Sequence, residues 1–307
     1  MVRAKRSKND DPSYRTLKAD YYPVQRVVNL ATASAGTTYI LDVARQLSVV
    51  NHRLYRQGKT YQVKIDIENR TDAALGPAQY EVWALTDTWY VQKAWQLARA
   101  NYLKATADER EMLSSQLIAR WEDFRVTSGV SGTDIVPYQY TEALAGAVNT
   151  DGEFATSEIT MADGTTQKIF TWGATPTASE FAILQEYDKS GNTDSAPETP
   201  GTTHPYAGTD NGVHDAQMTD LANRGNLPPY NQTNFTNRVW VKICTLDNSG
   251  TGNAGDTNGS RMSTGFFNAP CGLVVIKPSI SHQLAGDVRM TVKSGDYKGV
   301  AAMNMGA

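Results

Sequence analysis

The chain has 307 residues, a formal net charge of −3 and a pI of about 5.8, so a basic footprint for nucleic acid is absent from the chain as a whole. Its 24 Gly and 15 Tyr, with abundant Thr, Ala and Asn, suit many strands joined by polar loops. No run of eighteen apolar residues offers a membrane span, and Cys244 and Cys271 are too few to scaffold a chain of this size; they read as two buried thiols in strands.

Residues 1–20 read as an arm. Arg3, Lys5, Arg6, Lys8, Arg15 and Lys18 are basic, Asp10, Asp11 and Asp20 oppose them, and almost nothing apolar precedes Tyr21. Such a segment cannot bury enough surface to fold alone. Charge near Met1 has no apolar region behind it, unlike a secretory signal. Residues 21–307 then read as one domain.

Strand signals begin at Val24-Gln25-Arg26-Val27-Val28-Asn29-Leu30 and return over 37–43, with Tyr39, Leu41 and Val43 on one face. Between Lys59 and Glu68 the alternation is clean. Tyr61, Val63, Ile65 and Ile67 point one way, and Gln62, Lys64, Asp66 and Glu68 the other, the period of a half-buried strand. Residues 79–85 form a further strand. The period then changes: Asp87-Thr88 offers an N-cap, and Val91, Trp95, Ala98 and Tyr102 follow at helical spacing, which predicts a helix over 89–103. Thr106 and Glu109 have capping-box spacing, and a second helix is expected from about 107 to 124. Residues 87–125 thus read as a helical hairpin inserted into a β protein.

Strands are next expected at 154–161, 167–172 and 180–187, with a hairpin turn at Ala162-Asp163-Gly164-Thr165. Residues 188–236 are a long polar loop rich in Gly, Pro, Asn, Asp and Thr. Strands at 238–246, 272–277 and 287–293 complete the set, with a second polar loop at 247–260. About nine strands with long connections predict an all-β fold, a single eight-stranded jelly-roll β-sandwich with an inserted helical hairpin and long loops.

Chemical sites are sparse. His52, His204, His214 and His282 show no zinc-site spacing. There is no Gly-x-Ser-x-Gly elbow and no Gly-rich phosphate loop. The oxygen-rich runs at 188–194 and 247–258 do not match an EF-hand and read as solvated turns rather than Ca²⁺ sites. Four Asn-x-Ser/Thr triplets, at Asn69, Asn231, Asn234 and Asn258, read as chance in an Asn- and Thr-rich chain. Trp89, Trp95, Trp121 and Tyr102 read as core rather than as a base-stacking platform. No metal, cofactor or catalytic constellation is expected, and the chain is not read as an enzyme. The basic arm is the one segment with a partner to suggest: its cations would bind DNA phosphates through charge, without sequence preference.

Several stretches resemble capsid proteins of small circular Rep-encoding single-stranded DNA viruses. They are Val82-Trp83-Ala84-Leu85-Thr86-Asp87-Thr88-Trp89-Tyr90, Arg120-Trp121-Glu122-Asp123-Phe124-Arg125, Asn226-Leu227-Pro228-Pro229-Tyr230, Gly265-Phe266-Phe267-Asn268-Ala269-Pro270-Cys271-Gly272 and Val292-Lys293-Ser294-Gly295-Asp296-Tyr297-Lys298-Gly299-Val300. The resemblance implies a jelly-roll subunit, a homo-oligomer that self-assembles into a small icosahedral shell of T=1 type around a circular single-stranded DNA genome. It implies a virion protein, made and assembled in a host cell, with no membrane partner. The basic N-terminus would face the genome, and the long loops would make the outer surface and the subunit contacts. Many such proteins carry a long Arg-rich arm, whereas this one is short and interrupted by acids. Neutralisation of the genome is then expected to rest partly on basic residues of the inner barrel face, or on bound cations. The rival class is an extracellular β-sandwich that binds carbohydrate through loop Tyr and Trp side chains.

Overall fold

A computed structural model describes residues 23–31, 37–69, 79–107, 111, 121–139, 147–148, 156–160, 165–173, 178–191, 239–247, 260–278 and 286–306. The first elements are β1 (Val27–Ala31), β2 (Tyr39–Asp42), α1 (Val43–Asn51), β3 (Lys59–Asn69), β4 (Gln79–Leu85) and α2 (Trp89–Ala105). Short strands follow: β5 (Thr133–Asp134), β6 (Val136–Gln139), β7 (Ala147–Val148), β8 (Glu158–Thr160), β9 (Gln167–Thr171) and β10 (Glu180–Ala182), which runs into α3 (Ile183–Gly191). The last are β11 (Trp240–Asp247), β12 (Ser260–Ser263), β13 (Phe267–Pro270), β14 (Leu273–Pro278), β15 (Gly286–Val292) and β16 (Ala302–Asn304).

Eight of these strands build two antiparallel sheets. One has the order β1-β15-β3-β12, the other β2-β14-β4-β11. Numbered along the chain, the principal strands therefore lie 1-8-3-6 in one sheet and 2-7-4-5 in the other. Consecutive strands change sheet at every step except from 4 to 5, which pair within one sheet, and this nesting is a jelly-roll β-sandwich. β13 and β16 add to the start of β3, and β6 extends the first sheet beyond β1.

The alternation over 59–68 decides which side of β3 meets the other sheet. Tyr61, Val63, Ile65 and Ile67 are fully buried and join Val28, Leu30, Tyr80, Val82, Val274, Ile276, Val288 and Met290 in the inter-sheet core. Each such aliphatic side chain contributes about 2 kcal/mol by leaving water. A second core lies against α2. Val91, Ala94, Trp95 and Ala98 of that helix pack with Phe124, Val126, Phe170, Trp172, Ile183, Leu184 and Leu273, joining the small sheet β10-β9-β8 to the sandwich.

Three expectations need correction. The strand at 37–43 stops at Asp42, because the Asp42 carboxylate accepts a hydrogen bond from Arg45 N (3.0 Å) and caps α1. Val43 and Leu47, one turn apart, both reach the core, so Val43 belongs to the helix period rather than to the strand. The strand at 180–187 is only three residues long. Ile183, Leu184 and Tyr187 sit at helical spacing on α3, which takes over the start of the expected 188–236 loop; 192–238 lie outside the described residues. In the inserted hairpin, α2 begins at Trp89 as expected, after Thr88 as N-cap, and runs two residues further than predicted. The second helix does not reach Phe124, since 122–126 are not helical; 108–110 and 112–120 lie outside the described residues. β8 and β9 do pair as a hairpin, with most of the predicted turn also outside.

Both thiols are free. Cys244 is half-buried on β11, while Cys271 is buried in a turn (φ 56°), not a strand, with Sγ 3.2 Å from Met305 Sδ. Burial pushes the Cys271 thiol well up, which makes it inert as a nucleophile.

Candidate nucleic-acid interface

Arg3, Lys5, Arg6, Lys8, Arg15 and Lys18 of the arm lie outside the described residues, as do the oxygen-rich loop 248–259 and Asn231 and Asn234. Described cations gather in two other places.

The first is the outer face of the β1-β15-β3-β12 sheet, a product of the same alternation that fills the core. Lys64 and Asp66 of β3, Arg261 of β12 and Arg289 of β15 point away from the other sheet. Asp66 is 2% exposed, and its Oδ2 lies 2.9 Å from Arg261 Nη2, 3.1 Å from Lys64 Nζ and 3.7 Å from Arg289 Nε. Burial pushes the Asp66 carboxyl up. Hydrogen bonds from Ser263, Arg261 and Lys64, with the Lys64 charge, outweigh that and hold it below its usual value. One anion thus organises three cations, each with one flank open to solvent. With exposed Lys293, the face carries four cations against Asp66 and Glu68 among its described side chains. The opposite sheet carries fewer cations: Lys242 and exposed Lys277 flank Glu81, which accepts from Lys242 Nζ (2.6 Å) and Trp83 Nε1 (3.2 Å).

The second place is one end of the sandwich, where the segment between α1 and β3 meets the turn after β15. Arg56, Lys59 and Arg99 line a cleft of about 510 Å³ with Trp95, Leu103 and Asp123. Next to it, Lys298 Nζ donates to Leu54 O and stands 5.4 Å from the Tyr297 ring centre; Lys59 Nζ stands 4.0 Å from the same ring. Tyr297 also accepts from Arg56 N (3.2 Å), and Tyr61 donates to Arg56 O (2.7 Å), so aromatic side chains fix the backbone that carries the cations. Burial, and then the neighbouring arginines, lower both lysine pKa values.

A third feature is charged but compensated. A cleft of about 430 Å³ is lined by Asp42, Arg45, Gln57, Arg125 and Asp134. Arg125 pairs with Asp42, and Arg45 with Asp134 at 2.9 Å. Buried Gln57 pairs with both backbone groups of Val126 (2.6 and 3.1 Å), as a neighbouring strand would. This cleft is a structural joint between the sandwich and the 121–126 segment.

Asp123 sits where the joint and the cationic cleft meet. It accepts from Gln57 N at 2.7 Å. Its carboxyl is pushed up to about 6 by burial, against the pull of the Gln57 hydrogen bond and of Arg125 and Arg56. A raised carboxyl pKa means that folding favours the protonated form. Stability from this group is therefore full below the unfolded value of 3.8 and falls as pH rises to about 6, by about 3 kcal/mol in all. Asp123→Asn, which stays neutral, is expected to match wild type near pH 4 and to exceed it by up to that amount at pH 7.5 in urea melts. A difference that does not grow with pH would contradict this.

The sequence reading missed the cleft cations. A signal was present: Arg53, Arg56 and Lys59 fall within seven residues, interleaved with Tyr55, just before the clearest strand. It also placed Trp89 and Trp121 in the core. Trp95 is buried, but Trp89 is 69% and Trp121 66% exposed, with Phe266 and Met303 also open to water.

Fold and surface together define a jelly-roll β-sandwich with one cationic sheet face and a cationic cleft at one end. No family model, curated protein or solved structure matches the chain.

Proposed function

We propose that the protein is the capsid subunit of a small single-stranded DNA virus, which assembles into a small icosahedral shell around its genome. In this reading it performs no chemistry, and its working parts are interfaces. The strand order carries the proposal: 1-8-3-6 over 2-7-4-5 is the arrangement that viral coat domains use. Lectins and cupins share the fold class, so two further observations weigh in. Trp89, Trp121, Phe266 and Met303 are more than half exposed, and large aromatic side chains of this kind are the anchors that protein interfaces favour. The outer face of the β1-β15-β3-β12 sheet offers Lys64, Arg261, Arg289 and Lys293 to phosphates, a complement to the short arm. That face is proposed to look toward the genome together with Arg3, Lys5, Arg6, Lys8, Arg15 and Lys18.

The test is electron microscopy and size-exclusion chromatography of the purified chain. Closed shells of uniform diameter, eluting in the megadalton range, are expected. A stable 33.6 kDa monomer under all assembly conditions overturns the proposal and favours the carbohydrate-binding module.

A further inference from the structure

The cationic cleft at the end of the sandwich has an imbalance that the fold does not explain. The side chains of Arg56, Lys59, Arg99 and Lys298 make no ion pair with any described carboxylate. Arg56, Lys59 and Lys298 crowd one another, although separation into solvent would relieve the repulsion, and Arg99 lines the same cleft. Where other described cations are held close together they share an anion: Lys64, Arg261 and Arg289 gather on Asp66. Here the groups come from three separate parts of the chain, namely the segment leading into the first residue of β3, the middle of α2 and the turn after β15. That convergence is built. Gly58 lets the Trp95 ring close against the backbone, since a Cβ there would stand 2.5 Å from two of its ring atoms. Gln96 of α2 donates to Gly306 O (2.6 Å), and Gln92 accepts from Gly306 N (3.2 Å), which fixes the helix carrying Arg99 beside the cleft.

The wall beneath these groups is Trp95, 6% exposed and closed against Gly58. Arg56, Lys59 and Arg99 share the cavity of about 510 Å³ with a single carboxylate, Asp123, so its lining carries three cations against one anion, a balance that suits an anionic ligand.

We propose that this cleft binds a phosphate group, with Arg56 and Arg99 as the forked donors and Lys59 and Lys298 as the surrounding charge. Arginine forks pair with two phosphate oxygens at once, and the ammonium groups add attraction without demanding direction. The proposal does not rest on shell assembly, because every group belongs to one subunit. The phosphate can be free or part of a nucleotide chain, and the two sources are separable by probe.

One charge in the cleft opposes an anion. Asp123 lines it, faced by Arg56, Lys59 and Arg99, with Arg53 and Lys298 near and Arg125 and Asp42 behind. Its carboxyl gains a proton as pH falls through about 6. Anion binding is therefore strengthened in mildly acidic solution.

The experiment is isothermal titration of the full chain with inorganic phosphate and, separately, with a pentamer of thymidylate, whose phosphodiesters do not titrate between pH 5 and 8. The pentamer is expected to bind, with affinity at least about threefold higher at pH 5 than at pH 7.5. Arg56→Gln with Arg99→Gln is expected to weaken it about tenfold or more, with only a small change in melting temperature at pH 5, where Asp123 is largely protonated and loses little from the missing Arg56. Asp123→Asn is expected to abolish the pH dependence. Binding of phosphate but not of the pentamer assigns the site to a free anion. Binding of neither, or binding that the Arg56 and Arg99 substitutions leave unchanged, overturns the proposal. Lys59→Gln serves as a second variant should the arginine pair fail to fold: unchanged affinity there also counts against it.

Discussion

Replacing Arg125 with Ala is expected to cost about 3–5 kcal/mol, a large part of the 5–15 kcal/mol that typically holds a domain folded. Arg125 is 7% exposed, and its guanidinium pairs with Asp42 Oδ2. That carboxylate already caps α1 through Arg45 N and accepts from Gln57 Nε2 at 3.3 Å. Truncating the arginine leaves the carboxylate largely buried without its cation, and it opens the joint that holds Phe124 and Val126 in the second core. The backbone of Arg125 also exchanges hydrogen bonds with Ser157 (2.9 and 3.0 Å), which ties the small sheet to the same point. Changing both partners, Arg125→Met with Asp42→Asn, is expected to recover much of the loss, because the cost lies in the orphaned charge and not in the missing attraction. Denaturant melts of the three variants measure this. A loss below about 1 kcal/mol for Arg125→Ala would place the pair among solvent-screened bridges.

The second large effect is on assembly. Trp89→Asp combined with Phe266→Asp is expected to abolish particles while leaving the subunit's stability within about 0.5 kcal/mol of wild type. Both aromatic side chains are more than half exposed. They occupy one corner of the fold, because Asn268 Nδ2 donates to Asp87 Oδ2 at 2.9 Å and so joins the start of β13 to the turn before α2. Exposed tryptophan at a fixed corner is the type of anchor that dominates protein interfaces. A charge introduced there loses little in a monomer and much in a dry contact. If the double variant forms shells as readily as wild type by electron microscopy, this corner is not a subunit contact.

The sequence alone determined the longer sandwich strands β1, β3, β4, β11, β14 and β15 and, most plainly for β3, the side that faces inward; the short β12, β13 and β16 were not expected from it. Period-two alternation over 59–68 is a local property, and Tyr61, Val63, Ile65 and Ile67 could be buried only on one side of a sheet. The helix over α2 was legible for the same reason: Val91, Trp95 and Ala98 repeat at its pitch. Short elements were less so. Tyr39, Leu41 and Val43 fit a strand until Asp42 caps a helix, and Ile183, Leu184 and Tyr187 fit strand or helix equally over so few residues.

Only the tertiary structure decided how charges were paired. Asp42 and Arg125 are 83 residues apart, and Asp66 reaches Arg261 across 195. Nothing in local spacing distinguishes these matched cations from the unmatched Arg56, Lys59, Arg99 and Lys298. Charge acts through space over a few ångströms, while sequence patterns record neighbours along the chain. The jelly-roll order brings strands 3 and 8 side by side, and with them the segment before β3 and the turn after β15. The cationic cleft is a consequence of that crossing, and it comes into being only when the sandwich closes.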